Sequence, residues 1–160
     1  MELYVKQKVF SFGDKFGIFD ENGNTVYTAS GEVFSFGKKL HIRDNYGNEK
    51  AYIVQKLFRL FPTYEIYLGG ELFATVRRNF SFIGSKYTVS GRSFSWDVTG
   101  NFTGHSYDIS QSGSTVASVG KKWFTWGDTY EVSTRGETDP LGALCVLLVI
   151  DCCVADDNNN

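Results

Sequence analysis

The segment from Asp139 to Val154, DPLGALCVLLVIDCCV, constrains this chain more than any other. It reads as a helix. Asp139 is a good N-cap, and Pro140 suits the first helical position, where its missing N–H would have no partner anyway. Its apolar residues are spread all round the helix instead of along one stripe, so protein or lipid must surround it. The charge-free run from Pro140 to Ile150 is too short for a bilayer, which takes about 20 apolar residues. The segment is therefore expected inside protein, as a rod roughly 22 Å long at about 1.5 Å per residue.

Everything before that helix reads as β. Asn22-Gly23, Tyr46-Gly47, Gly69-Gly70, Thr99-Gly100 and Ser112-Gly113 sit between apolar runs, as hairpin turns require. Between these turns the apolar residues alternate. Leu40 and Ile42 fall on one face with His41 and Arg43 on the other. Tyr64, Ile66 and Leu68 repeat the pattern, as do Leu72, Ala74 and Val76, then Phe94, Trp96 and Val98, then Tyr130 and Val132. Period two marks strands with one buried face. The spacing predicts about a dozen strands in a mainly β, closed antiparallel barrel, since closure removes exposed edges. A barrel that wide is not filled by its own inward side chains, and the apolar C-terminal α-helix is expected at its centre. A single domain over residues 1–154 follows from a length of 160 residues. The polar tail ADDNNN, residues 155–160, is expected to be disordered.

Charge and cysteine usage narrow the class. A net charge of −2 argues against a dedicated nucleic-acid binder. Met1–Phe10 has no continuous apolar core of the kind a signal peptide needs. Cys145, Cys152 and Cys153 all lie in the helix and have no distant partner for a staple. They are expected to pack as small hydrophobes in a reducing cytoplasm.

The sequence also repeats. Phe10-Ser-Phe-Gly13 recurs as Phe34-Ser-Phe-Gly37, with looser copies at Phe80-Ser-Phe-Ile-Gly84, Phe94-Ser-Trp96 and Phe124-Thr-Trp-Gly127. Asp20-Glu-Asn-Gly23 recurs as Asp44-Asn-Tyr-Gly47. With the late Asp-Pro-Leu…Val-Ile-Asp helix, these features resemble the LURP-one-related family of the Tubby C-terminal-like superfamily, to which the phospholipid scramblases are related. The resemblance covers residues 2–154. It implies a twelve-stranded barrel threaded by a C-terminal helix, and it specifies fold more than activity. Tubby domains bind phosphoinositides through basic residues. Scramblases carry a calcium-binding segment and a membrane anchor, and this chain has no recognisable counterpart of either.

Catalytic signatures are missing. His41 falls on the polar face of a strand and His105 follows Gly104 at a turn, so both are expected to be exposed, without the partner and pocket a general base needs. The segments Asp20–Asn24 and Asp44–Glu49 faintly resemble calcium loops, but Gly stands fourth in each instead of sixth, and turns explain them better. No metal ligands, no cofactor fingerprint and no enzymatic activity are expected. The candidate site is a set of basic pairs beside aromatic clusters: Lys38-Lys39, Arg77-Arg78 and Lys121-Lys122. If the repeats stack, these pairs converge on one rim, where cations meet phosphate and aromatics enter a lipid interface. Asp151 is the sole charge within the apolar helix. It either marks where the helix leaves the barrel or makes a buried contact with an Arg or Lys that fixes helix register. The expected function is a cytoplasmic, monomeric binding module for anionic phospholipid headgroups or another phosphorylated ligand. The alternative is a protein-interaction scaffold using Trp123 and Trp126.

Overall fold

A computed structural model describes residues 1–6, 15–32, 36–81, 84–124 and 127–159. Among them are twelve strands and one helix. These are β1 (Glu2–Lys6), β2 (Lys15–Phe19), β3 (Thr25–Gly31), β4 (Lys39–Arg43), β5 (Glu49–Lys56), β6 (Thr63–Leu68), β7 (Glu71–Ser81), β8 (Gly84–Gly91), β9 (Ser95–Asn101), β10 (Ser106–Gln111), β11 (Ser114–Phe124), β12 (Gly127–Thr134) and α1 (Pro140–Asn158). Each strand pairs antiparallel with its sequence neighbours. β1 closes the barrel on β12, with Leu3 opposite Val132 and Val5 opposite Tyr130. The FSFG-type repeats lie partly outside the described residues, at 10–13, 34–35, 82–83 and 125–126.

The alternation works as the sequence implies. Leu40, Ile42, Ile53, Ile66, Val76, Val89, Val98, Ile109 and Val132 point inward and are buried. They meet α1, which is buried on every side from Gly142 to Cys153. Each fully buried Leu or Ile of α1 contributes about 1.5–3 kcal/mol, and truncating Leu147 to Ala would cost about 2–5 kcal/mol through the cavity left behind. The Asp139 side chain accepts from the N–H groups of Leu141 (2.9 Å) and Gly142 (3.1 Å), capping the first turn. Gly142 packs directly on Phe73, whose ring tip lies 2.5 Å from where a Cβ would stand.

Three expectations need correction. The helix does not stop at Val154. It runs to Asn158, so residues 155–158 of the expected disordered tail are its last turn, held by ion pairs that local polarity does not reveal. Thr99-Gly100 is not a turn but part of β9. Asn101 sets the turn instead, its Oδ1 accepting from the Gly104 N–H at 2.9 Å. Gly100, at φ +143°, lets the β10 backbone approach, since a Cβ there would lie 2.7 Å from the Ser106 carbonyl. Leu72 is about half exposed, because the register with β6 shifts between Ile66 and Tyr67 and breaks the alternation of β7.

Candidate functional site

An up-and-down barrel has two mouths, and the topology deals the connections alternately between them. At the near mouth, where α1 begins, lie the turns 20–24, 44–48, 69–70 and 112–113 and the segment 135–139. At the far mouth, where α1 ends, lie the connections 57–62 and 102–105, among others. This sorts charge. Asp20, Glu21, Asp44, Glu49, Glu71 and Asp139 are near-mouth residues, with Arg43, Lys50, Arg92 and Arg135 among them. Lys6, Lys15, Lys39, Lys56 and Arg59 stand at or next to far-mouth strand ends, and Lys121 lies in the far-mouth half of β11, with the acids Glu32, Asp156 and Asp157 among them. A net charge of −2 thus hides a polarised molecule.

Most of the exposed large apolar side chains follow the cations, with Met1, Tyr46 and Leu72 the near-mouth exceptions. Phe36, Phe58, Leu60, Phe80 and Trp123 are all at the far mouth and mostly solvent-facing, Phe58 at 92% and Leu60 at 90%. Phe58 also has φ +59°, a left-handed conformation that a bulky residue adopts only against resistance. The β5–β6 connection therefore holds an aromatic ring in water on a strained backbone. Beside it is a cleft of about 340 Å³ lined by Arg59, Leu60, Phe61, Thr63 and Arg77. The Arg77 guanidinium lies 5.0 Å over the Phe61 ring, and Phe61 leans on Phe80 at 5.7 Å between centroids. Neither Arg59 nor Arg77 has a carboxylate partner among the described residues. By contrast, a cleft of about 240 Å³ on the barrel wall between β5 and β6 contains Lys56 and Glu65, which neutralise each other at 3.0 Å. A hollow of about 570 Å³ at the near mouth is walled by Phe73, Phe94 and Trp96 over the capped helix start.

All three sequence-predicted basic pairs reach the far mouth, but their members part company. In β7, Ala74 and Val76 point inward, and Arg78 follows them by parity and is buried, whereas Arg77 points out. Arg78 donates to Asp157 through Nη1 at 2.8 Å and stacks over Phe80 at 4.7 Å. Burial alone would lower the guanidinium pKa, but the bond to Asp157 and neighbouring negative charge more than offset it, and the net direction is upward. Lys38 bonds Asp156 and also the Cys152 carbonyl at 3.2 Å. Lys39 stands 3.8 Å from Glu32, and Lys122 stands 3.8 Å from Glu131. Lys121 is exposed, and no carboxylate reaches it among the described residues. Of the proposed aromatic anchors Trp123 is 77% exposed, while Trp126 is outside the described residues. Sequence reasoning passed over Phe58, Arg59 and Leu60. The signal was Leu57-Phe-Arg-Leu-Phe-Pro62, a connection without the Asp, Asn and Gly of the turns at 20–24 and 44–48.

The far end of α1 also corrects the histidine readings. Asp151 is buried, so it does not mark where the helix emerges. Its partner is neither Arg nor Lys but His105, at 2.8 Å from Nε2 to Oδ1. His105 has φ +51° and stacks flat on Tyr130, with centroids 3.8 Å apart. Burial pushes the Asp151 carboxyl up, against the opposing pull of His105, and its Oδ2 has no hydrogen-bond partner among the described residues. His41 is likewise not free. It lies between Glu32, at 2.8 Å from Nε2, and Glu49, which its Nδ1 faces, and it stacks on Tyr52. The faint calcium loops are turns: Asp20 Oδ1 accepts from the N–H groups of Asn22 and Asn24, and Asp44 Oδ1 does the same for Tyr46 and Asn48. The three thiols are buried, and burial pushes Cys153 up to about 11 and the other two further.

Comparison with known proteins agrees on the fold. A family profile described as LURP-one-related matches residues 1–151. An uncharacterized protein, YxjI of Bacillus subtilis (strain 168), is 33% identical over 159 residues, covering 99% of this chain and 97% of the relative. The X-ray structure of an Arabidopsis thaliana protein aligns over 99% of this chain and 91% of its own, with a TM-score of 0.65 at 20% identity. That likeness concerns the fold alone. No helix among the described residues is long and apolar enough to cross a membrane.

Proposed function

Since the chain belongs to the LURP-one-related family, a family resemblance that leaves its ligand open, we propose from the far mouth that it is a non-catalytic module that docks on anionic phospholipid surfaces. The observation that carries this reading is the β5–β6 connection. It holds Phe58 and Leu60 in solvent on either side of Arg59, beside a cleft that Arg77 completes. Such a pairing suits an interface. The apolar tips leave water for the headgroup–acyl boundary, and the guanidinium forks meet phosphate oxygens at the same depth. Lys121 and Trp123 add a third cation and a further ring on β11. A cytoplasmic leaflet, rich in anionic lipid and facing a reducing compartment, fits both the cations and the free thiols.

Co-sedimentation with phosphatidylcholine vesicles, with and without phosphatidylserine, over a salt series tests it. Wild type should bind only the anionic vesicles and dissociate as salt rises. Arg59→Ala/Arg77→Ala should lose about tenfold or more in partition, at roughly one unit of favourable energy per surface cation, with an unchanged melting temperature. Lys121→Ala/Lys122→Ala should lose less, because Lys122 already faces Glu131. Failure to bind under every condition would overturn the membrane reading. It would favour a protein-binding surface centred on the exposed Trp123.

A further inference from the structure

The last turn of α1 contains a local conflict. Asp156 and Asp157 place two negative charges at a helix C-terminus, where the dipole already points its negative end. There is no basic residue in that turn to offset them. Cations alone would suit the terminal carbonyls, but the nearest one, Lys38, donates further back in the helix, to the Cys152 carbonyl. The two carboxylates are therefore poor helix-formers at these positions. What they do is occupy cations: Asp156 holds Lys38, and Asp157 holds Arg78. The partners are unequally placed. Arg78 is 9% exposed and Lys38 20%, whereas Asp157 is 56% exposed and Asp156 44%. The cations are fixed in the barrel, and the acids lie on the solvent side of them. Arg78 is also under-used, because its Nε has no hydrogen-bond partner among the described residues. Local conflicts of this kind are expected where function overrides folding preference.

We propose that Lys38 and Arg78 are a second, masked set of anion-binding positions at the far mouth, and that Asp156 and Asp157 are built-in competitors for them. This rests on the reading of that mouth as an anionic-surface module. On a phosphate-bearing surface the external oxygens replace the two carboxylates, and the last turn of α1 is released. In solution the same carboxylates keep the mouth weaker than its cation content allows, which limits attachment to densely anionic surfaces.

The test compares wild type, Asp156→Asn/Asp157→Asn, and a charge-matched control, Glu71→Gln/Glu137→Gln, on mixed phosphatidylcholine–phosphatidylserine vesicles. Glu71 and Glu137 are exposed near-mouth residues, so the control makes the same change in net charge at the wrong end. Releasing two cations should tighten partition about tenfold, given the usual contribution of each basic group at an anionic surface. The control should stay close to wild type, and adding Lys38→Ala/Arg78→Ala to the Asn variant should abolish the gain. A second measurement uses the unmodified protein: amide hydrogen exchange over residues 154–158 should accelerate when anionic vesicles are added. Wild type bound to vesicles, with an Asn variant no tighter than the control and exchange unchanged, overturns the masking proposal and leaves the docking reading intact. Binding by the Asn variant alone supports masking in its strongest form. Absence of binding by all three proteins overturns both.

Discussion

The two mouths of this barrel close the same sheet in opposite ways. The near mouth is made of connections that fold themselves. Asp20 and Asp44, set 24 residues apart, build the same turn, each accepting two backbone N–H groups and an Asn side chain, with Gly23 and Gly47 at positive φ finishing it. The helix starts there on an equally local device, the Asp139 cap. The far mouth has connections that oppose local preference. Phe58 and His105, two of the three described non-glycine residues at positive φ (Ser112 at the near mouth is the third), are there, most of the exposed large apolar side chains face water there, and two acids end a helix. One end is organised for folding. The other has surrendered folding preference for a surface of cations and rings, and that contrast is the reason for placing function there.

The largest effect should come from Asp151, where the far end of α1 is fixed. Asp151→Lys would place an unpaired ammonium beside His105 in a buried site, which costs about 3–5 kcal/mol or more, and urea unfolding should find little or no native barrel. Asp151→Asn keeps shape and hydrogen bonding to His105 and should fold. It also isolates a pH signature. Burial raises the folded-state carboxyl above its ordinary 3.8, so between that value and the raised one the native state binds more protons than the unfolded chain. Wild-type stability relative to Asp151→Asn should therefore be highest at low pH and fall as pH rises through the raised value. The near mouth has the opposite sign. Backbone donors from Asn24 hold Asp20 below the usual range, and at Asp44 the donors of Asn48 and Tyr46 outweigh burial in the same direction. Those contributions are complete above 3.8 and disappear as pH falls through the lowered values. Parallel pH–melting curves for Asp151→Asn and wild type would break the contrast.

The near mouth was largely legible because its chemistry is local. Asp-x-x-Gly turns, the Asp-Pro cap and the inward alternation that surrounds an all-apolar helix are each encoded within a few residues. The far mouth was legible only in part. The basic pairs were visible as candidates, and parity from Ala74 through Val76 to Arg78 already implied that Arg77 and Arg78 face opposite ways. What no short window carries is a partner far along the chain. Arg78 finds Asp157, Lys38 finds Asp156, and His105 finds Asp151 across separations from 46 to 118 residues. The same tertiary pairing converted residues 155–158 from an apparent polar tail into helix. Arg59 was missed because the apolar run Leu57–Pro62 marks an unusual connection but no ligand until the fold sets Arg77 beside it.

An intermediate effect separates the mouths by function. Asp44→Ala removes acceptors for the Tyr46 N–H at 2.9 Å, the Asn48 N–H at 3.0 Å and the Asn48 side-chain amide at 3.3 Å. The turn should fray and the melting temperature should fall by a few degrees. Vesicle partition should remain at the level of the charge-matched control, because the loss is at the end opposite the proposed docking surface. A partition loss in step with the melting temperature would mean that the far-mouth geometry depends on the near-mouth turns, and the division between the two ends would then be less sharp than the structure suggests.

The smallest effect has the most informative sign. Phe58 sits at φ +59° with its ring in solvent, so Phe58→Gly relieves a left-handed backbone and removes almost no packing. Relief of that conformation is worth about 1–2 kcal/mol, and the added freedom of glycine in the unfolded chain takes back about 0.4–1 kcal/mol. The variant should melt slightly higher than wild type. It should also bind anionic vesicles more weakly, by about tenfold if the ring enters the interface. Gain in stability with loss of binding is the opposite of what Asp44→Ala produces, and the two variants together form a double dissociation between the mouths. Phe58→Leu, which keeps an apolar tip and the strain, should retain most binding at the wild-type melting temperature. If Phe58→Gly instead melts lower, the ring contributes to packing, including its contact with Phe36 at 6.5 Å, and the case for a residue displayed at a folding cost fails.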